Sequence, residues 1–265
     1  MRDIDASLDI LCDPHDRSPL SLCLENTSGY CALVNATCQR RYEIQKGIPN
    51  FSPSELLTGF NLKYQKMYNR MAPVYDMPTR IMNTFFKTTL DKMESESLQD
   101  IKVKPGNRVL EVSIGTGGNF RTLPEDISVF GIDISMGMLG QAQRNFRNWG
   151  RKACLFQGEA ENLPFKDCSF DVVFHVGGIN FFNNKRKAIE EMARVTKPGT
   201  KVVIIDEMEI YIKNIYEKIP YFGRYFQNRS DTVTPPEKLV PAGMKDVLLK
   251  NLWDGKMYCL SFVKP

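Results

Sequence analysis

One stretch of the chain decides its fold: Arg108-Val-Leu-Glu-Val-Ser-Ile-Gly115-Thr-Gly117-Gly-Asn119. It begins as a short, mostly apolar run and continues directly into closely spaced glycines. Such a run is typical of a strand that is buried on both faces of a parallel sheet. Glycines at the carboxyl end of such a strand let the backbone of the next loop approach a ligand closely. The stretch therefore predicts a ligand-binding loop after the first strand of an α/β unit.

Strands and helices alternate on the C-terminal side of this loop. Further strands are predicted at 129–133, 153–157, 170–175 and 201–206, and helices at 136–148 and 185–195. Alternation of this kind indicates a parallel sheet with helices on both faces. The chain ends differently, because apolar runs at 247–253 and 256–263 flank Asp254-Gly255, a pair that favours a tight hairpin turn. We predict an α/β fold whose parallel sheet finishes in a C-terminal antiparallel hairpin.

The composition is that of an ordinary globular protein. The chain has 265 residues, of which 42% are hydrophobic and 25% charged, and these values exclude disordered and collagen-like chains. No apolar run is long enough to span a membrane, and the first residues contain no apolar signal core. We therefore expect a cytoplasmic protein whose seven cysteines are reduced thiols.

Three regions are predicted along the chain. Residues 1–50 contain short apolar pieces broken by turns, with four of the seven cysteines, and predict a small β-rich N-terminal module. Residues 51–104 carry apolar side chains at helical spacing and predict a helical lead-in. Residues 105–265 form the α/β domain, with an aromatic-rich insertion at 207–235. That insertion is expected either to form a lid over an apolar pocket or to pack on the sheet edge.

Three motifs in the α/β domain carry a family resemblance. They are Glu111…Gly115-x-Gly117, the acid Asp133 at the end of the second strand, and Gly158-Glu-Ala-Glu-x-Leu-Pro-Phe165 after the third. Together they resemble the class I S-adenosylmethionine-dependent methyltransferases. A nicotinamide-binding protein would place a third glycine where this chain has Phe120. The resemblance implies a Rossmann-like seven-stranded mixed sheet and S-adenosyl-L-methionine as the cofactor.

The resemblance also implies cofactor contacts, residue by residue. In the family the glycine loop passes under the methionine part, the second-strand acid holds the ribose, and the acid after the third strand contacts adenine. Two positions depart from the family pattern, since Ser113 stands at its first glycine and Glu159 at its aspartate. The implied cofactor-binding residues are Tyr75, Glu111, Ser113, Gly115, Gly117, Asp133, Ile134, Met138, Glu159, Ala160 and His175.

Three further pieces are similar to the ubiquinone/menaquinone biosynthesis methyltransferases. They are Tyr68-Asn-Arg-Met-Ala-Pro-Val-Tyr75-Asp, Arg194-Val-Thr-Lys-Pro-Gly199 and Asn251-Leu-x-x-Gly255. Departures from that group's usual residues occur at Thr196, Thr200 and Asp206. The resemblance implies methyl transfer to a small aromatic or lipophilic acceptor of phenol, quinol or enol type, and leaves its identity open. The implied substrate contacts are Tyr68 on the lead-in helix and Tyr216, Tyr221 and Phe222 on the insertion.

His175 is the candidate for a catalytic base. It ends the fourth predicted strand, which faces the cofactor in this fold, and an imidazole there could deprotonate a phenol or enol. The alternative is that the ring only packs or hydrogen-bonds beside the cofactor.

The N-terminal module resembles the small zinc ribbon that precedes some methyltransferases. The similarity rests on Cys12-Asp-Pro-His15 and on Cys38-x-x-x-Tyr-x-Ile-x-x-Gly-Ile-Pro49. A ribbon holds zinc tetrahedrally with four ligands, and here the pairs would be Cys12 with His15 and Asn35 with Cys38. Because Asn35 is a poor zinc ligand, we expect a metal-free remnant, although Cys23 or Cys31 could substitute.

Two other functions stay open. The first is an RNA methyltransferase whose N-terminal module binds the nucleic acid. Five basic and seven acidic residues within 1–50, and a net charge of only +4 for the chain, argue against this function. The second is a cofactor-binding protein without turnover, which the departures at Ser113 and Glu159 would allow. We expect a small-molecule acceptor as partner, neither nucleic acid nor a membrane span, and leave homo-oligomerisation open.

Overall fold

The computed structural model describes residues 4, 7–25, 29–76, 101–214, 216–218, 223–225 and 233–265. The N-terminal module is a four-stranded antiparallel sheet in which the strands follow one another in chain order. Its strands are β1 (Leu20–Glu25), β2 (Gly29–Asn35), β3 (Arg41–Gln45) and β4 (Ile48–Pro49). Helix α1 (Gly59–Met71) follows.

A seven-stranded mixed sheet forms the larger part of the molecule. Its strands are β5 (Arg108–Val112), β6 (Ser128–Asp133), β7 (Cys154–Gln157), β8 (Val172–Val176), β9 (Lys201–Glu207), β10 (Lys245–Leu252) and β11 (Met257–Val263). Their spatial order is β10-β11-β9-β8-β5-β6-β7, and β11 pairs antiparallel with both of its neighbours. The predicted α/β fold with its C-terminal antiparallel hairpin is therefore confirmed.

The connecting helices begin and end where the sequence predicts them. Helix α2 spans Met136–Asn148 and helix α3 spans Lys185–Val195, and a short α4 (Glu209–Asn214) follows β9. The Ser135 hydroxyl accepts from the N–H of Met138 at 3.1 Å and caps α2, as Asn184 caps α3. Apolar side chains at helical spacing on both helices are buried against the sheet.

The hairpin turn is longer than the sequence suggests. Leu252 pairs with Met257, so the loop has four residues rather than a tight pair centred on Asp254-Gly255. Trp253, Asp254 and Gly255 all have positive φ. The chain reverses through three left-handed residues, which a sequence pattern built on the dipeptide does not reveal.

The N-terminal module packs directly on the larger sheet. Asn50 pairs in parallel with Gln157, so the module extends the sheet beyond β7 and covers that edge. Leu11 forms a bridge to Phe165, and Arg17 makes a 2.7 Å ion pair with Glu191 of α3. One continuous apolar cluster includes side chains from the module and from the sheet. Within the described ranges, every helix is too short or too polar to traverse a lipid bilayer.

Candidate functional site

A cavity of about 440 Å³ opens at the carboxyl ends of the parallel strands. Its wall is built by the loops after β5, β6, β7, β8 and β9 on one side and by α1 on the other. Parallel sheets of this kind bind ligands at this edge because the loops and the helix N-termini converge there. Among the described residues, the charged side chains that line the cavity are mostly acidic: they are Asp76, Glu111, Asp133, Glu161 and Glu207, with Arg121 as the cation.

Asp133 ends β6 and lies almost fully buried in the cavity wall. Its carboxylate accepts from the N–H of Gly115 and from the N–H of Ser135, each at 2.8 Å. Burial raises the pKa of Asp133 to about 6, although these backbone hydrogen bonds oppose the rise. A carboxylate held by two backbone donors is rigid and still has lone pairs for hydroxyl groups of a ligand.

Glu111 is the second buried acid at this end of the cavity. One carboxylate oxygen accepts from the Asn119 side chain at 2.6 Å. The other, Oε2, has no hydrogen-bond partner among the residues that the structure describes. Burial raises the pKa of Glu111 well above its usual range, while the bond from Asn119 lowers it. A buried acceptor without a partner beside a cavity indicates a place for a polar ligand group.

The small residues in the loop after β5 have two different roles. Some leave space for a ligand, and one permits close packing of a helix. Ser113 has φ of 61° and Gly115 has φ of 56°, and both line the cavity. No atom lies within 4 Å of the place where a Cβ on Gly115 would stand, so the loop leaves space there for a ligand. A Cβ on Gly117 would stand 2.7 Å from the Phe146 ring, and Gly117 does not line the cavity. Gly117 therefore permits close packing of α2 against the loop.

Helix α1 lines the cavity and is held in place by hydrogen bonds of its polar side chains. The Gln65 amide donates to the carbonyl of Ile134 at 3.1 Å. The Asn69 side-chain oxygen accepts from the Ser135 hydroxyl at 2.7 Å and from the N–H of Gly137 at 2.9 Å. These contacts hold α1 against the loop that contains Asp133, so one wall of the cavity is a separate helix.

Aromatic side chains from α1 and from the loop after β8 meet in one wall of the cavity. Tyr64 and Phe181 stack with ring centroids 4.7 Å apart, and Tyr68 lies between Tyr64 and Tyr75 at 6.4 and 6.3 Å. The insertion reaches the same place, because the Tyr64 hydroxyl donates to the carbonyl of Tyr225 at 3.0 Å. The structure thus brings α1 and part of the insertion together. The side chain of Tyr216, and all of Tyr221 and Phe222, lie outside the described residues.

The loop after β7 places its two acids differently from the sequence-based assignment. Glu159 does not line the cavity, and its carboxylate accepts from the Asn61 amide at 2.7 Å. Ala160 and Glu161 do line it. Burial raises the pKa of Glu161, while the N–H of Asn184 and other donors lower it. The expected contact of Glu159 with adenine is not supported by this geometry, and Glu161 is the acid that faces the cavity.

His175 has both ring nitrogens engaged, which corrects the expectation of a catalytic base. Nδ1 lies 2.8 Å from the carbonyl of Val112, and Nε2 accepts from the N–H of Ile179 at 2.9 Å. The ring is fully buried and does not line the cavity. Burial lowers the pKa of His175 to about 4, against a small opposing effect of the Val112 carbonyl and the Glu207 charge. The neutral imidazole uses both of its nitrogens in hydrogen bonds. It thereby links β5 to the loop after β8.

Replacing His175 with phenylalanine is expected to lower the free energy of unfolding by about 2–4 kcal/mol. The change leaves the Val112 carbonyl and the Ile179 N–H buried without partners, at about 1–3 kcal/mol each. Urea unfolding measures the loss. In the wild-type protein, the pH profile of turnover should show no step at the ordinary histidine pKa of 6.5. A step there that disappears in the variant would restore His175 as the base.

The predicted zinc ligands are not brought together. Cys12 is fully buried, with its N–H bonded to the carbonyl of Pro164, and burial raises the pKa of its thiol. His15 is exposed and donates its backbone N–H to Asp13. Among the described residues, neither Cys12 nor His15 shares a possible metal-binding group with Cys38, which instead lies near Asp13 and Asp16.

The acids beside Cys38 are paired with a side-chain cation. The Arg40 guanidinium lies 2.7 and 2.6 Å from the two oxygens of Asp13, and 3.7 Å from Asp16. The Asn35 amide donates to both carboxylates at 2.8 to 3.1 Å. Because Arg40 and Asn35 already satisfy these acids, the residues present do not fit a tetrahedral zinc site.

Comparisons with known proteins identify the larger domain. Residues 110–204 match the methyltransferase domain family. The chain is 35% identical over 182 residues to the ubiquinone/menaquinone biosynthesis C-methyltransferase UbiE of Stenotrophomonas maltophilia, covering 58% of this chain and 72% of that protein. The chain belongs to the ubiquinone/menaquinone biosynthesis methyltransferase family. It is an S-adenosylmethionine-dependent methyltransferase of class I, as its motifs imply.

A further relative and a solved structure are also similar to this chain. A demethylmenaquinone methyltransferase of Desulfitobacterium hafniense is 33% identical over 168 residues, which are 59% of this chain and 65% of that protein. A solved S-adenosylmethionine-dependent methyltransferase of Thermotoga maritima, a possible histamine N-methyltransferase, superimposes with a TM-score of 0.55 at 21% identity. It covers 75% of this chain and 100% of the Thermotoga chain, and at that identity it shows the fold alone.

The cavity suits the cofactor of this family. The open space beside Gly115 leaves room for a ligand against the backbone, and the unpartnered Glu111 Oε2 and the Asp133 carboxylate are acceptors for its polar groups. The excess of carboxylates favours a ligand that carries a sulfonium and an ammonium group.

Most of the expected cofactor residues lie in one wall. Those that line the cavity are Tyr75, Glu111, Ser113, Gly115, Asp133, Ile134, Met138 and Ala160, with Tyr68 of the expected substrate residues. Sequence reasoning missed the lining residues Asn61, Tyr64, Asp76, Glu161, Phe181, Phe182 and Glu207. Glu207 had a usable signal, because it directly follows the predicted strand at 201–206. Asn61 had none, since it reaches the site from a helix far away in sequence.

Proposed function

We propose that the protein transfers the methyl group of S-adenosylmethionine to a small aromatic acceptor of quinol type. One observation carries this proposal: the cavity continues from the Asp133 end into a wall of aromatic side chains on α1 and after β8. A relative named demethylmenaquinone methyltransferase supports an acceptor of this type. The acceptor atom stays open between oxygen and ring carbon.

The cofactor is proposed to lie at the β5–β6 end of the cavity. There the Gly115 loop supports the methionine part, Asp133 accepts from the ribose hydroxyls, and Glu111 accepts from a further polar group. Ser113, Ile134 and the Met138 side chain complete the wall on that side, and Ala160 borders the adenine. When bound, the cofactor supplies an electrophilic methyl group on a sulfonium with a good leaving group.

The acceptor is proposed to lie against Tyr64, Tyr68, Tyr75 and Phe181. Flat aromatic faces stack on a ring and exclude water from it, and both effects align the acceptor atom with the methyl group. The chain's own contribution is therefore to hold two ligands in line within one water-poor cavity. Tyr216, Tyr221 and Phe222 of the insertion belong to this proposal as expectations from the sequence.

A nucleic-acid acceptor fits this surface less well. The cavity carries five carboxylates and one cation among its lining residues, which repels a phosphate backbone. Within the described part of the module, Arg17, Arg40 and Arg41 are each paired with an acid. The module therefore offers few free cations to RNA.

Replacing Tyr68 with alanine tests the acceptor end. Loss of its stacking and buried area is expected to weaken acceptor binding by about 1–3 kcal/mol, with cofactor affinity nearly unchanged. Turnover against a panel of phenols and quinols gives KM, and calorimetry gives cofactor affinity.

The matched control is Phe60→Ala on the same helix. Phe60 is 42% exposed and does not line the cavity, so it should leave KM unchanged. If Tyr68→Ala and Phe60→Ala had the same small effect on every quinol, the acceptor would not lie against α1.

A further inference from the structure

We infer that Glu207 binds the hydroxyl group of the acceptor and takes its proton. The inference rests on the proposed function and adds a residue that neither the sequence motifs nor the family resemblance assigns. Glu207 is the last residue of β9, is 6% exposed and lines the cavity. It lies at the opposite end of the cavity from Asp133.

The strand order separates the two acids. In the sheet, β8 and β5 lie between β9 and β6, so the ends of β9 and β6 are three strand spacings apart. At about 4.8 Å per spacing, Glu207 and Asp133 are attached roughly 14 Å apart along the sheet edge. A cofactor whose ribose is at Asp133 therefore leaves the β9 end for the acceptor.

The backbone around Glu207 is fixed by hydrogen bonds. Asp206 accepts from the N–H groups of Gly178 and Asn180, both at 3.1 Å, and so holds the loop after β8 against the end of β9. The Asn180 amide donates to the carbonyl of Glu207 at 3.0 Å. A side chain on such an anchored backbone keeps its position before a ligand arrives, as a group that acts on a substrate requires.

The carboxylate of Glu207 lies close to a glycine in the loop after β8. Its Oε1 would stand 3.6 Å from a Cβ on Gly177, which also lines the cavity. Gly177 lies in the loop after β8, which also contains Phe181 of the aromatic wall. The carboxylate of Glu207 therefore lies beside the loop that carries part of that wall.

No competing base is apparent at this end. His175 has both nitrogens engaged, and Glu111 and Asp133 belong to the cofactor end of the cavity. Asp76 accepts from the Thr116 hydroxyl and the Asn145 amide at that same end, and Glu161 follows β7, the strand farthest from β9 among the parallel strands. Among the cavity-lining residues that the structure describes, Glu207 is the carboxylate beside the aromatic wall. A positioned carboxylate that accepts a hydroxyl proton typically contributes about 10²- to 10⁴-fold to a rate.

The proton and electron balance is simple. The O–H bond of the acceptor breaks, its proton goes to the Glu207 carboxylate, and the electron pair left on oxygen enriches that oxygen and the neighbouring ring carbon. The nucleophilic atom of the acceptor then bonds to the methyl carbon, while the electron pair of the breaking S–C bond stays on sulfur. If ring carbon is methylated, its hydrogen leaves as a proton and the oxygen regains one. Either route releases one proton per turnover.

The test compares Glu207→Gln with the wild-type protein by two readouts. In steady-state kinetics on a quinol, kcat should fall at least about 100-fold, while KM changes little because the amide still fills the site. Glu207→Asp keeps a carboxylate and should recover part of kcat. The control is Glu237→Gln, an exposed acid outside the cavity, which should match the wild-type protein.

The second readout needs no turnover. The probe is 4-nitrophenol, added with S-adenosylhomocysteine at the pH where the free probe is half ionised. Wild-type protein should bind the neutral phenol and remove the phenolate absorbance, since a phenolate beside a carboxylate is repelled. Glu207→Gln should retain that absorbance.

If the wild-type protein bound neither the probe nor any quinol, the proposed function would fail. Binding with identical spectra and kcat in both proteins would overturn the role of Glu207 alone.

Discussion

Replacing Asp133 with alanine is expected to weaken S-adenosylmethionine binding by about 10- to 100-fold. The change removes charge-assisted hydrogen bonds to the ribose, which are typically worth about 1.5–3 kcal/mol. It also removes the acceptor for the N–H of Gly115, so the glycine loop loses an anchor. Titration calorimetry measures the affinity directly.

The pH dependence of that affinity identifies the carboxylate. The pKa of Asp133 is raised to about 6 by burial, so its ionised fraction falls as the pH drops below 6. Ribose hydroxyls donate to the ionised form, and binding therefore favours it. Affinity should be constant above about pH 7 and should fall by up to tenfold per pH unit below 6. Asp133→Asn should bind weakly with little pH dependence. Equal affinity in wild type and variant would remove Asp133 from the site.

Replacing Asp13 with asparagine is expected to lower the free energy of unfolding by about 2–3 kcal/mol. The side chain of Asp13 is fully buried and accepts charge-assisted hydrogen bonds from Arg40, with a further bond from Asn35. The matched control is Asp16→Asn on the same turn. Asp16 bonds the same Asn35 but is partly exposed, so its loss should be smaller.

Acid and chelator distinguish this internal ion pair from a metal site. Burial raises the pKa of Asp13, but hydrogen bonds from Asn35, the His15 N–H and Arg40 outweigh it, and the pKa is lowered. A depressed pKa means that the stabilisation is complete above the ordinary value of 3.8 and is lost as pH falls through the folded-state value. The difference between wild type and Asp13→Asn should therefore shrink below about pH 4. A chelator should leave the Tm of wild type unchanged, and a drop in Tm would indicate a bound metal.

Much of the site could be predicted because many of its residues lie at or just after the carboxyl ends of strands, and the sequence pattern locates those strands. Asp133 ends one predicted strand and Gly115 lies in the loop after another, and carboxyl ends of parallel strands share one edge. The same rule applied to Glu207 would have placed it there too, but no motif drew attention to that strand. The spacing of Gly117 looked like part of a ligand cradle, whereas its Cβ space is filled by Phe146.

Other residues depend on contacts that sequence spacing does not contain. Glu159 and Glu161 are two positions apart, and only the path of the loop after β7 decides which faces the cavity. Whether Asn61 reaches the cavity depends on how α1 is held against the loops of the sheet. In the module, the cysteine and histidine spacing resembled a zinc ribbon with one poor ligand, but the sequence does not show that Arg40 pairs with Asp13. His175 was predicted to end its strand and face the cofactor, but β8 runs one residue further to Val176 and the hydrogen bonds of the buried ring decide its role.

The most direct test of the account follows the methyl group itself. Purified protein is incubated with S-adenosylmethionine labelled on the methyl group, a demethylated quinol and a short RNA in the same vessel, and the products are separated by mass. The account predicts label on the quinol, none on the RNA, and clearly reduced transfer by Asp133→Ala at a cofactor concentration that saturates only the wild-type protein. Label on the RNA alone would contradict the account.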